Sequence, residues 1–423
     1  MEPHEDVINY DTAGEYPLRK NEIRPLIAPN PKHNGPRDKE VQVEVWEVVE
    51  LALDTFAKAG GSRGIPAATF GKLLSVFTEA YDVKLLREHN HLDIIEEPTE
   101  EEATEALEIF RVLVHQPPED LANLGLLGVN KIAATMGRYL AKWRAWEKLN
   151  RVFLEEYTIL DSLKESDSYK GLFNGDDQPP KFSLSQIEEV HEKLNLLQAH
   201  SVSGSVIANL GARVDLDSAI KLMFPKEHSN DSTSVRILKN NQRQTAERVK
   251  ALFKQLNAER TSKGLEPYQP GETFLLMSTF LESEDIKRLR GKTKTLFDPP
   301  TDLDRQKAIA AYDTLRTLSV VKLYKLGGIY LNHLRASMDV YAEKWRTERK
   351  FTIVYGPGLT LRQTLEAALA NPDLMRGAQI PPEFVKEEVD EIRLKLEVIS
   401  RNSLWSNMIE STQRSGNIGY KRT

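Results

Sequence analysis

Two glycine-containing stretches carry the letters of catalytic motifs. Gly60-Gly61-Ser62-Arg63-Gly64 spells GxSxG, which in a hydrolase sets a nucleophilic serine on a strained turn between a buried strand and a helix. Here a helical apolar stripe precedes it and Ile65-Pro66 comes after it, so the segment reads as a helix terminator. Gly291-Lys292-Thr293 has the ending of a phosphate-binding loop, but the glycine that must open such a loop is replaced by Ile286, and a basic run stands where a strand should be. His89 and His91 have a spacing that could share a metal on a strand, yet no third ligand accompanies them. GxGxxG and HExxH are absent. Carboxylate pairs carry no acid–base information in a chain with 28% charged residues, and with no cysteine there is neither thiolate chemistry nor a Cys-ligated zinc. The expectation is no enzymatic activity, no cofactor and no metal.

The chemistry that remains is polyanion binding. Residues 231–350 hold 23 Lys and Arg against 15 Asp and Glu, a net +8, so the rest of the chain carries −14 within a total of −6. Cationic side chains that neutralise phosphates release condensed counterions, and flat side chains pack against bases or riboses. The candidates are Arg236, Lys239, Arg243, Lys250, Lys254, Lys287, Arg288, Arg290, Lys292, Lys294, Tyr324, Lys325 and Arg335. A second basic-aromatic patch, Arg138, Lys142 and Arg144 beside Tyr139 and Trp143, lies in the first half.

The elements that would position these residues read as helices. Val45, Val48, Val49 and Leu53 form an apolar stripe, as do Phe70, Leu73, Leu74 and Phe77. Thr99 can cap a helix with Glu100, Glu101 and Glu102 in its first turn. Met136, Tyr139, Leu140, Trp143, Trp146 and Leu149 recur at helical spacing, and Ile187, Val190, Leu194 and Leu197 come after the caps Ser183 and Ser185. A basic amphipathic helix over 240–260 sets Arg243, Lys250 and Lys254 against Val249, Leu252, Phe253 and Leu256 and ends at Lys263-Gly264. Gly327-Gly328 breaks the helical run from Asp302. Thr360 with Gln363 forms a capping box, and a last helix spans about 383–400. Phe351-Thr352-Ile353-Val354 is the clearest strand candidate. No repeat of 20–50 residues is visible.

The expected fold is mainly α, with few short strands: a Pro-broken N-terminal arm (1–39), a helical lobe (40–230), a second helical lobe (231–402) and a polar C-terminal arm (403–423), with an RNA groove between the lobes. Ile23, Leu26 and Ile27 in one arm and Trp405 in the other are candidate docking residues between subunits. No apolar run is long enough to cross a bilayer and no secretory leader is expected.

This layout resembles the nucleoproteins of negative-strand RNA viruses. The stretch Tyr330-Leu331-Asn332-His333-Leu334-Arg335-Ala336-Ser337-Met338 is similar to the aromatic-Tyr-then-Ser-x-Ala-Met-Gly helix of the paramyxovirus-type members, with Asp339 in place of the glycine. Ala134-Thr135-Met136-Gly137-Arg138-Tyr139 is a partial match in the first half. The resemblance implies a virion protein, acting in the host cytoplasm. It would encapsidate single-stranded genomic RNA without sequence preference and self-associate as a ring or helical filament. A viral phosphoprotein and a polymerase are the implied partners. The alternatives are a helical scaffold or adaptor for protein partners and the coat protein of a filamentous plant virus.

Overall fold

Fourteen helices account for nearly all regular structure in the computed structural model, which describes residues 32–58, 67–91, 96–150, 177–200, 218, 231–290 and 299–403. The first half contains α1 (Pro36–Lys58), α2 (Ala67–Glu88), α3 (Glu100–His115), α4 (Pro118–Ala122), α5 (Leu126–Lys148) and α6 (Leu184–Ala199). The second contains α7 (Thr233–Ser262), α8 (Pro270–Arg290), α9 (Asp302–Thr317), α10 (Val320–Tyr324), α11 (Gly328–Ile353), α12 (Leu361–Ala370), α13 (Pro372–Met375) and α14 (Lys386–Asn402). Among the described residues there is no strand. Mainly α is therefore the fold class.

The second half is built on the same plan as the first. From Pro98 to Asn150 and from Asp177 to Ser201 the chain aligns without a gap to residues 202 positions later, pairing Thr99 with Thr301, Gly125 with Gly327, Tyr139 with Tyr341 and Phe182 with Phe384. The paired residues do the same work. Thr99 with Glu102, and Thr301 with Asp304, form capping boxes at the starts of α3 and α9. Lys142 reaches back to Glu102 at 2.8 Å, and Lys344 to Asp304 at 2.8 Å. Phe182 lies against Phe110, and Phe384 against Tyr312, each at 4.8 Å between ring centroids. Lys193 donates to the carbonyls of Leu113 and Val114 at the end of α3, and Lys395 to those of Leu315, Arg316 and Leu318 at the end of α9. A cation there satisfies carbonyls that the last helical turn leaves without partners.

The helix pairs α1–α2 and α7–α8 correspond with a slightly longer spacing, Val45, Val49 and Ala52 standing where Val249, Phe253 and Leu256 stand. They join the halves reciprocally. Asp82 on α2 accepts the Gly328 N–H at the start of α11, while Asp285 on α8 accepts the Leu127 N–H at the start of α5. Glu79 on α2 pairs with Lys148 of α5, and Glu282 on α8 with Lys350 of α11. Such an exchange is what a two-fold relation between halves requires.

The cores respect this exchange and not the order of the chain. Val41, Val45, Val49, Leu74 and Phe77 of α1 and α2 pack with Tyr312, Leu315, Leu331, Met338 and Ile392 of the second half. Leu238 of α7 joins Phe110, Leu121, Met136 and Val190 of the first. A third cluster joins Val249, Phe253, Phe274, Met277 and Phe280 of α7 and α8 to Leu365 of α12. Burying each phenylalanine contributes about 1.5–3 kcal/mol. The division expected at residue 230 thus cuts across two shared cores. The start of α1 and the end of α14 meet beside the second-half core: Arg401 grips Asp38 with two hydrogen bonds of 2.8 and 2.9 Å, and Asn402 adds a third of 2.7 Å.

The strand expected at Phe351–Val354 is instead the last turn of α11, with Val354 as its C-cap and fully buried. The β-branched pair Ile353-Val354 favours a strand locally, but the turn is held by packing against Ile286, Ala368 and Leu374. Other local expectations match: the Thr99 and Thr360 caps, the helix end at Gly264 with φ +68°, and the break at Gly327, whose φ of +87° suits glycine. Ser183 stands at the N-cap of α6, but its hydroxyl meets that of Ser185.

Candidate nucleic-acid interface

The repeated halves act as an internal control on the basic residues. A cation that makes the same contact in both halves belongs to the fold; one found in a single half needs another reason. Lys142 belongs to the fold by its pairing with Glu102. Arg144 does too: it donates to the Asp177 carbonyl at 3.1 Å, and Arg346 donates to the corresponding Gln379 carbonyl. Lys142 and Arg144, expected to contact RNA, are thus engaged by the fold in both halves. Arg138 of the same patch is exposed, 3.4 Å from the Thr135 hydroxyl, and Val340 replaces it in the second half.

Helix α7 presents the opposite case. Ser232 caps it by accepting the Val235 N–H, and no glycine or proline interrupts its 30 residues. Its apolar side buries Val235, Leu238, Val249, Phe253 and Leu256. Arg236, Arg243 and Lys254 are exposed on the helix and Lys250 is half-buried. Arg243 and Lys254 have no acidic partner among the described residues, whereas Lys250 pairs with Glu247 at 3.2 Å and Arg236 donates to the Asp231 carbonyl. At 1.5 Å per residue, Arg236 to Lys254 spans roughly 27 Å. The corresponding helix α1 carries Glu40, Glu44, Glu47, Glu50 and Asp54. One architectural position is therefore net basic in one half and net acidic in the other, although Lys39 of α1 stands where α7 has Arg243.

The remaining candidates scatter. Lys239 is only 7% exposed and sealed against Asp231 at 2.6 Å, so it is a buried ion pair and not a phosphate contact. Tyr324 packs into the second-half core, where burial, with Asp82 and Glu44 nearby, raises its hydroxyl pKa; it is no stacking platform. Lys325 pairs with Glu44, Arg335 with Asp339 and Lys287 with Glu284. Arg288 and Arg290 lie on the last turn of α8, where the side chains are not described; Lys292 and Lys294, and the arm residues Ile23, Leu26, Ile27 and Trp405, lie outside the described residues. His91 stacks on Tyr330 at 4.3 Å.

A groove does lie between the halves, a cavity of about 790 Å³ bounded by α2, α3, α5 and the start of α11. Its cations Lys142 and Lys148 are already paired with Glu102 and Glu79. In the second half the corresponding place is filled: Leu127, Ile286 and Phe351, the counterparts of Ile329, Val83 and Leu149, pack with Val354, Tyr355, Ala368 and Leu374. The sequence counterparts of that filling segment, 152–172, lie outside the described residues.

The fold and surface define a mainly α-helical, internally repeated protein with one cationic helix face. No helix among the described residues is long and apolar enough to cross a membrane. No family model, no curated protein and no solved structure matches this chain.

Proposed function

We propose that this protein coats single-stranded RNA as a viral nucleoprotein does, holding the sugar–phosphate backbone without sequence preference and self-associating along it. The observation that carries this reading is the charge of α7. Its counterpart α1 is net acidic and has Glu50 where α7 has Lys254, although Lys39 stands where α7 has Arg243; the fold therefore does not demand Lys254, and the exposure of Arg243 and Lys254 leaves both available to phosphates. Arg236 extends the face, and the basic end of α8 at Lys287, Arg288 and Arg290 adds charge.

Binding of a fluorescent oligouridylate, read by anisotropy over a salt series, tests it. Replacing Arg236, Arg243 and Lys254 by Glu should weaken binding at least tenfold and reduce the slope of log affinity against log salt by about 2–3. Lys142→Met should lower stability and leave that slope alone. An unchanged slope in the triple variant, or no binding by the wild type in low salt, refutes the reading.

A helical scaffold for protein partners is the second reading. It is favoured by the pairing of Lys250, Lys325 and Arg335 with acids of their own surface. A protein purified from bacteria free of RNA and monomeric at every concentration supports the scaffold.

A further inference from the structure

Ser403, the last residue described, lines a cavity of about 540 Å³ between α1, α2 and the start of α11. Leu51, Tyr81, Leu85 and Ile399 make its apolar wall, and Glu47 stands at its edge. Leu51 is a large apolar side chain left 45% exposed. Glu47 is exposed with no partner among the described residues, and Glu40 and Asp54 extend the acidic side of α1 in both directions.

The corresponding helix pair α7–α8 does not repeat this surface. Arg248 stands for Glu44, Ala251 for Glu47, Gln255 for Leu51 and Arg288 for Leu85. The fold therefore does not require an acidic, apolar groove at this place; it occurs only beside the end of the described chain. The segment after Ser403 is complementary to it. Leu404, Trp405, Met408 and Ile409 come first, then Arg414, Lys421 and Arg422 against the one acid Glu410. Trp405 is two residues from Ser403, within about 7 Å of extended chain. A hydrophobic side chain inserted beside an acidic rim, with trailing cations held by that rim, is a common way for a short segment to dock.

We propose that residues 404–423 of this same chain dock in the groove, with the apolar segment on the Leu51–Leu85 wall and the cations toward Glu40, Glu47 and Asp54. The site is independent of RNA and of the α7 face. Its occupant is the protein's own C-terminal segment.

The chain has no cysteine, so full-length protein carrying Glu47→Cys and Asn407→Cys can be treated with a short bismaleimide and weighed. The expected product is a monomer bridged once, formed at a rate independent of protein concentration. Adding Leu51→Glu should cut the bridged fraction at least fivefold while the thermal midpoint stays within a few degrees. Two dead-end adducts per chain would overturn the proposal, and so would covalent dimers, which would assign the groove to the segment of a second copy. Hydrogen exchange on cysteine-free protein provides the check that does not rely on the linker. Residues 404–409 should be slowed in the wild type and released by Leu51→Glu, and equal exchange in both refutes docking.

Discussion

Each of the two helix pairs has a largely buried ion pair at its start, but the two joints differ in how the chain supplies them. At the start of the α7–α8 pair, Lys239 on α7 meets Asp231, which stands just before that helix begins. In the second half Arg401 at the end of the bundle meets Asp38 on α1, which comes from the other end of the chain. One joint is made across 8 residues and the other closes across 363. The start of a helix pair is thus held once by a local ion pair and once by a long-range closure, whose entropy must be offset by contacts.

Breaking the joints should give the largest effects. Lys239→Met leaves Asp231 buried without its cation, and Arg401→Met leaves Asp38 with Asn402 alone. Each should cost about 3–5 kcal/mol by urea denaturation. Arg401→Met should also change the acid side of the profile. Arg401 holds the Asp38 carboxyl below its usual pKa, so the stability it contributes is present above the unfolded value near 3.8 and lost as pH falls through the folded value. The wild type should lose its advantage over Arg401→Met as pH falls below about 4. Equal loss at acid and neutral pH would contradict the pairing.

The glycine caps come next. A Cβ on Gly125 would fall 2.2 Å from Asp285 Oδ1, and one on Gly327 2.8 Å from Asp82 Oδ1, and both glycines have positive φ. Gly125→Ala and Gly327→Ala should each destabilise by about 2–3 kcal/mol, the first more. A neutral result at either would mean that the two aspartates do not approach the helix starts equivalently.

The lysines on the carbonyls of α3 and α9 should separate by a smaller margin. Lys395 is 8% exposed and serves three carbonyls. Lys193 serves two and also meets Glu189. Lys395→Met should cost about 2–3 kcal/mol and Lys193→Met about 1 kcal/mol. Equal costs would show that the extra carbonyl of Leu318 contributes nothing.

The contrast between the halves shows what the sequence could and could not disclose. Capping boxes, helix stripes and the Gly264 and Gly327 breaks are legible because their physics acts within a few residues. Thr99 and Glu102 are three apart. Phe351–Val354 is misread because its strand propensity is local while the packing that decides it comes from α8, α12 and α13. Lys142 and Arg144 look like surface cations because the Glu102 carboxylate and the Asp177 carbonyl that hold them lie 40 residues before and 33 after. The repeat escapes a search for periods of 20–50 residues, since its spacing is 202 and the identities come in runs no longer than Lys142-Trp143-Arg144 with Lys344-Trp345-Arg346. The α7 face was the readable part of the candidate site, because amphipathicity and charge share one helical period; the burial of Lys239 on that helix was not, because Asp231 precedes the helix start.

The mildest substitution, an amide for a carboxyl, bears on the capping aspartate Asp82 and on pH. Burial raises the Asp82 pKa to about 6, against the N–H groups of Gly328 and Ile329, which favour the charged form. A carboxyl with a raised folded pKa binds its proton more tightly when folded. Its contribution is therefore complete below the unfolded value of 3.8 and lost as pH rises through about 6. Asp82→Asn keeps a side-chain oxygen for the helix start but cannot ionise. At acid pH, where both side chains are neutral, the two proteins should be nearly equal in stability. The difference, wild type minus Asp82→Asn, should then fall between about pH 4 and pH 6 and level off above about pH 7, a change of up to about 2–3 kcal/mol. A difference that rises with pH over that interval would mean that the two N–H groups outweigh burial, and that the charged carboxylate is the better cap.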